Sequence, residues 1–198
     1  MKNHNSSITT RTGDDGKTYT LGGERVFKND LRAAMPGSMD ELVTQISLIK
    51  LSFPKDSSQY QVLTWIQVCL FIIASRFSDP YAKSNAKRQI TQEELNFLDE
   101  VSSDSEKNTI MPSSFVIPGS TKMSCQMDIA RCICRKIERT MVEFVQQFSD
   151  HSISKETFAF INRLSDFFYI WARKEENGNF IPLDYSIIQN LSHRKLAL

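Results

Sequence analysis

The sequence predicts an all-α protein, a five-helix up-and-down bundle with a glycine-rich loop ahead of its first helix. Apolar residues recur at three- and four-residue steps in five separate segments, and no stretch shows convincing strand alternation. Four of the seven glycines, Gly13, Gly16, Gly22 and Gly23, fall within residues 10–23, TRTGDDGKTYTLGG, so the permissive backbone is concentrated at the front. A chain of 198 residues reads as one domain, able to bury about 70% of its unfolded surface without disulfides or metal. Within it we distinguish an N-terminal arm (1–38), a helical bundle (39–177) and a C-terminal tail (178–198).

The first helix is expected from Met39, where MDELVTQISLIKLSF sets Leu42, Ile46, Ile49 and Phe53 on one face. Asp40 and Glu41 would then sit in the first turn, favoured by the helix dipole. SSQYQVLTWIQVCLFIIASRF is apolar on nearly every side, which implies a central helix capped by Ser57 or Ser58. After the loop SDPYAKSNAKRQ, Thr91 and Glu94 form a capping-box signature for the third helix, which the polar run SDSEKNTIMPSS ends. Pro118, Gly119 and Ser120 mark a turn into the longest periodic segment, whose face is Met127, Ala130, Cys134, Ile137, Met141 and Phe144. The fifth helix starts at a Ser154 cap and ends before Gly178.

Composition excludes several classes. A net charge of +1 gives no global drive toward nucleic acid or an anionic membrane. The apolar run from Val68 meets Arg76 too soon to span a bilayer, and residues 1–10 contain no apolar stretch of the signal-peptide kind. Cys69, Cys125, Cys132 and Cys134 form no CxxC framework, and Cys132 and Cys134 point to different helix faces, so neither disulfides nor a metal site are expected. The expectation is a soluble cytoplasmic protein with reduced thiols.

Chemistry concentrates in three places. Arg131, Arg135 and Glu138 share one stripe of the fourth helix beside Arg139, which reads either as a solvated face or as an anion site. In NRLSD, Asn162, Arg163, Ser165 and Asp166 interrupt apolar sequence and must find partners; Arg163 and Asp166 form an intrahelical pair in one reading, leaving Asn162 for a ligand. The front loop offers backbone N–H groups and the hydroxyls of Thr10, Thr12 and Thr18 to a polyphosphate, although GxxxxGK[ST] is absent and a plain flexible arm is the alternative.

In order, TRTGDDGKTYTLGGERVFKNDLR, GSMDEL, FVIPGST, ARCICRKIER and NRLSDFFYIWAR resemble the PduO-type ATP:cob(I)alamin (corrinoid) adenosyltransferases, collinearly from Thr10 to about Arg173. The resemblance implies a homotrimer with active sites between subunits, and transfer of the 5′-deoxyadenosyl group of ATP to cob(I)alamin with release of triphosphate. By similarity Thr10, Arg11, Thr12, Gly13, Thr18, Tyr19 and Lys28 wrap the ATP, and Arg135, Lys136, Ile137, Glu138, Arg139 and Asn162 complete its pocket. Mg2+ travels with the ATP, and Arg135, Arg139 and Lys28 neutralise the leaving triphosphate. On the corrinoid side the resemblance implies Phe115, which would exclude a lower axial ligand from cobalt, and an Asp40–Arg131 pair that orders the closing loop. For Phe115 the other reading is an anchor packing its loop onto the bundle. A reductase and an adenosylcobalamin-dependent acceptor enzyme are the implied partners; nucleic acid and membrane are not.

The chain departs from the family pattern at Met35-Pro36-Gly37 for AYG, Val43 for the asparagine after DEL, Ser120 for the second glycine of PGG, and Asp128 for a histidine. These lie mainly on the corrinoid side. The alternative function is a non-catalytic ATP- or corrinoid-binding module on the same scaffold, serving sensing or cofactor delivery.

Overall fold

A computed structural model describes Thr9, residues 11–85 and residues 87–188. Five long helices, α1 (Leu31–Lys50), α2 (Ser58–Ser78), α3 (Gln92–Lys107), α4 (Lys122–Gln147) and α5 (Lys155–Glu176), build the bundle. Helix α4 packs between α1 and α5, α2 packs on the other flank of α1, and α3 packs on α5. Trp65 of α2 meets Phe97 of α3 edge-on at 4.7 Å and Phe160 of α5 at 5.8 Å, which closes the ring of helices. The apolar face read for α4 is buried at every position, from Met127 to Phe144.

Helix α1 begins at Leu31, not Met39. Asp30 caps it by accepting from the Arg32 amide, so Asp40 and Glu41 lie in mid-helix and the first turn holds no acid. Pro36 and Gly37 resemble a turn signal, yet the helix runs through them because Met35 and Met39 are fully buried. That burial offsets the hydrogen bond the proline cannot donate. The capping box of α3 is present, and α3 continues to Lys107 through residues read as its terminator. Ser154 is the N-cap residue of α5, but its hydroxyl donates to the Ile90 carbonyl instead of capping. Asn177, in the left-handed conformation (φ 47°), and Gly178 (φ 82°) end α5.

Taken whole, α2 is long and apolar enough to cross a membrane by length and composition, but half of its apolar window is buried within the protein. Its one buried amide, Gln67, donates to the Val43 carbonyl and to Ser47 Oγ, so the polar group is satisfied.

Four short strands escaped the sequence reading. β1 (Lys17–Tyr19) and β2 (Arg25–Phe27) pair antiparallel, with Thr18 opposite Val26. β3 (Val116–Ile117) pairs antiparallel with β4 (Ile181–Pro182). The glycine-rich front segment is therefore a hairpin. Its tip is fastened to the C-terminal end of α2: the Leu21 amide donates to Ser78 Oγ at 2.9 Å, and Gly22 is crowded against Asp79, where a Cβ would lie 2.9 Å from Oδ1. Glu24 pairs with Lys83 and with Arg32, which also holds Asp30 and lies over the Phe148 ring.

The carboxyls at this junction are held below their usual range. Hydrogen bonds from Arg32 lower Asp30, and that from Lys83 lowers Glu24. At Asp79 burial opposes the shift, but hydrogen bonds from Ser84 and Lys83 outweigh it. A depressed folded value means that the contribution is present above the unfolded value and is lost as pH falls through the folded one. We expect the hairpin to detach before the helices unfold as pH drops below about 4. Amide exchange at Leu21, Lys83 and Ser84 would rise first; protection lost there only together with the helical core would refute this.

Candidate active site

The hairpin, fastened by its tip, presents its opposite end. There residues 11–16 form a turn in which the Gly16 amide donates to the Gly13 carbonyl, and the Lys28 amide donates to the Gly16 carbonyl. Gly13 is tightly packed: a Cβ would lie 3.1 Å from Lys28 Nζ and 3.2 Å from the Lys17 carbonyl oxygen. The Lys28 ammonium is thereby brought over the turn. Arg11 adopts a positive φ of 59°, Arg11 and Thr12 are exposed, Thr18 is half-buried and Tyr19 is exposed with the Arg25 guanidinium 5.9 Å from its ring. The arrangement is a small cationic cradle with hydroxyls and backbone donors, the chemistry that holds phosphate oxygens. Thr10 lies outside the described residues.

A second set sits on α4 and α5. Arg135 and Arg139 are exposed and make no ion pair, hydrogen bond or ring contact among the described residues. Beside them Asn162 Nδ2 donates to Glu138 Oε1 at 2.8 Å, so Asn162 is held by Glu138 rather than unattached. Arg163 pairs with Asp99 of α3 at 2.7 Å and not with Asp166. Lys136 points the other way and pairs with Glu41 of α1 at 3.0 Å. Ile137 is fully buried in the hydrophobic core, so its side chain cannot line a surface pocket; its periodic place among Cys134 and Met141 was the signal.

The third set surrounds the turn before α4. An apolar cavity of about 430 Å³ is lined by Pro118, Cys125, Ile129, Cys132 and Ile133, with Asp128 and Lys136 as its polar members. It shares Ile129 and Ile133 with a groove of about 520 Å³ that Gly37, Asp40, Glu41, Thr44 and Leu48 of α1 help to line. Asp40 is exposed and forms no pair with Arg131 within the chain; the Arg131 guanidinium instead lies 5.5 Å from the Tyr169 ring centroid. Phe115 is 82% exposed, which removes the reading of an anchor packed on the bundle. Its carbonyl accepts from the Leu183 amide, and β3 is paired to β4, so the tail holds the segment that displays it. Ser120 Oγ is buried and makes no hydrogen bond among the described residues.

Two features were missed in the sequence. Arg32 organises the hairpin's junction, and Arg173 is almost completely buried between Asp128 and Glu176. For Arg173 the signal was available: a cation directly after the apolar run FFYIWA must be paired if the helix is buried. The buried thiols carry no such signal. Burial pushes Cys69 up to about 12 and raises Cys134 as well, so neither supplies a thiolate. No group of three or more His, Cys, Asp and Glu side chains converges to hold a metal among the described residues.

The family model described as cobalamin adenosyltransferase matches residues 8–175. A corrinoid adenosyltransferase of Citrobacter freundii is 32% identical over 170 residues, which is 85% of this chain and 94% of that protein. The corrinoid adenosyltransferase PduO of Salmonella typhimurium is 33% identical over 193 residues, and there the match spans 96% of this chain but about half, 55%, of the relative. Among solved structures, a phenylalanine-to-alanine variant of a PduO-type ATP:corrinoid adenosyltransferase from Lactobacillus reuteri, complexed with cobalamin and ATP, superposes with a TM-score of 0.77 at 27% identity, covering 89% of this chain and 99% of that one. An arginine-to-lysine variant from the same organism, complexed with ATP, gives a TM-score of 0.75 at 28% identity, with 89% and 100% covered.

Proposed function

The chain belongs to the cobalamin adenosyltransferase family, and on that footing we propose that it transfers the 5′-deoxyadenosyl group of ATP to the cobalt of a corrinoid. The electron pair of cobalt(I) forms the cobalt–carbon bond, the bond between the 5′ carbon and its phosphate oxygen breaks, and triphosphate leaves with the electrons of that broken bond. The observation that carries the reading is the charge left unspent on α4, where the exposed Arg135 and Arg139 have no partner among the described residues. A polyanion is what such a stripe fits.

In this reading Arg11, Thr12, Gly13, Thr18, Tyr19 and Lys28 enclose the triphosphate from the hairpin, with Thr10 as an added hydroxyl. Arg135 and Arg139 neutralise it from α4, while Glu138 and Asn162, tied to each other, present a fixed polar edge to the nucleoside. Lys136, paired with Glu41 on the other side of α4, stays outside this set. Magnesium bound to the triphosphate supplies further neutralisation, since the hairpin offers hydroxyls and backbone donors rather than a carboxylate cluster. The protein positions two substrates, and the cobalt carries the nucleophilic chemistry.

The hairpin is fastened to α2, whereas Arg135 and Arg139 make no hydrogen bond, ion pair or ring contact with it among the described residues. We therefore assign the complete site to the boundary between copies in a homotrimer, in which Asp40 of one subunit meets Arg131 of another. The setting we assign is the cytoplasm, with a reductase supplying cobalt(I) and an adenosylcobalamin-dependent enzyme receiving the product. The direct test mixes purified protein with ATP, magnesium and chemically reduced cobalamin and follows the absorbance change of cobalt–carbon bond formation. No change with active corrinoid would leave only the binding-module reading.

Phe115 is assigned to the lower face of the corrin, where an apolar ring displaces water and the nucleotide base from cobalt. Because the side chain is exposed, Phe115→Ala should leave thermal stability nearly unchanged. It should slow adenosylation most when cobalt(II) reduction is limiting, and pre-reduced cobalt(I) should recover much of the loss. A fall in melting temperature with equal loss from either oxidation state would contradict the assignment.

A further inference from the structure

Helix α5 carries a cation in the interior that the reaction does not use. Arg173 is 1% exposed; its Nη2 donates to Asp128 Oδ2 at 2.7 Å and to Glu176 Oε1 at 3.1 Å, and its Nε lies 2.7 Å from Glu176 Oε2. Burial works against the Arg173 charge, but the hydrogen bond and charge of Asp128, together with the charge of Glu176, more than offset this. One cation thus stands against two carboxylates, and a second cation, Arg131, lies on the same aromatic ring. The Arg173 Cζ is 5.0 Å from the Tyr169 ring centroid, and the Arg131 Cζ is 5.5 Å from the same centroid.

The spacing makes this a single device. Tyr169 and Arg173 are one helical turn apart on α5, and Asp128 and Arg131 are one turn apart on α4, so the two pairs face each other across the helix contact. Asp128 also lines the apolar cavity below Pro118, which places the device under the corrinoid-side groove. A long arginine side chain at a half-buried position has several rotamers available; a fixed ring face selects one of them.

We propose that Arg173, locked by Asp128 and Glu176, is a positioning residue: it fixes the Tyr169 ring, and the ring holds the Arg131 guanidinium in the one orientation in which it meets Asp40 of a neighbouring subunit. The proposal rests on the assignment of Arg131 to the site. It makes Asp128 part of the site's support rather than a solvated replacement for another polar residue.

The test is a double-mutant cycle on the full-length protein with cob(I)alamin and ATP. Tyr169→Leu, which keeps bulk and removes the ring face, is expected to lower kcat/KM for the corrinoid about five- to tenfold. Its KM for ATP should hold, and Tyr169→Phe should restore most of the loss. In an Arg131→Ala background Tyr169→Leu should cause no further loss, and Asp128→Asn, which keeps shape and removes charge, should be non-additive with Arg131→Ala in the same way. Losses that multiply, or that follow melting temperature across the variants, would overturn the positioning role while leaving the function intact. An Arg131→Ala enzyme with unchanged kinetics would overturn the assignment of Arg131 and this role together, and a wild-type protein unable to adenosylate cobalt would overturn the functional reading from which both descend.

Discussion

Replacing Arg173 by methionine should destabilise the protein by about 3 to 5 kcal/mol, the largest single-residue effect expected in the bundle. The cause is what remains. Asp128 and Glu176 have side-chain exposures of 11% and 1%, so removing the cation leaves two carboxylates buried without it. The aliphatic part of the arginine is replaced, which keeps the loss from being one of packing. Urea denaturation measures it directly, as a shift in midpoint at constant slope. A triple replacement, Asp128→Leu with Arg173→Met and Glu176→Leu, removes both charges along with their partner and should recover much of the stability. A loss below about 1 kcal/mol from Arg173→Met alone would mean that the cluster behaves as a surface pair.

Arg135→Ala should lower kcat/KM for ATP by about ten- to a hundredfold while the melting temperature stays near that of the wild type. Arg135 is exposed and makes no ion pair, hydrogen bond or ring contact among the described residues, so its removal has little folding cost to confuse the reading. Asn162→Ala should act in the same direction by releasing Glu138, its hydrogen-bond partner. A shared site adds a sharper consequence. Lys28→Ala disables the hairpin half and Arg135→Ala the helical half, so mixed oligomers of the two should regain activity that neither has alone. Unchanged kinetics in Arg135→Ala and Asn162→Ala would remove the proposed pocket, and no recovery on mixing would place both halves in one subunit.

Much of the bundle was legible before any coordinates. The buried face of α4 follows from spacing alone, and the capping box at Thr91 and Glu94 marked the start of α3 correctly. The start of α1 was misread because Pro36-Gly37 carries the local signature of a turn, and burial of Met35 and Met39 overrode it. The hairpin was invisible for a different reason. Strands of three residues are too short to display an alternating pattern, and what holds them is a docking contact with Ser78 and Asp79, more than fifty residues away.

The candidate site divides in the same way. Residue types and order pointed to a phosphate-binding arm and a cationic helix stripe, because these depend on side-chain chemistry and local sequence, and the family resemblance added Phe115. Partnership did not follow from order. Arg163 chose Asp99 over its helical neighbour Asp166, Lys136 chose Glu41, Asn162 chose Glu138, and Arg131 lies against Tyr169 rather than Asp40.

By itself, then, the sequence determined which helix faces are buried, which family the chain resembles and which residues can bear charge toward a triphosphate. Helical periodicity and side-chain chemistry are local properties, written within a few residues of one another. Only the tertiary structure decided which charge is spent inside the protein and which is left for a substrate. Ion pairs and hydrogen bonds form within a few ångströms, and the groups brought that close belong to different helices, so Arg173 disappears into the core while Arg135, on a helix of the same character, stays free.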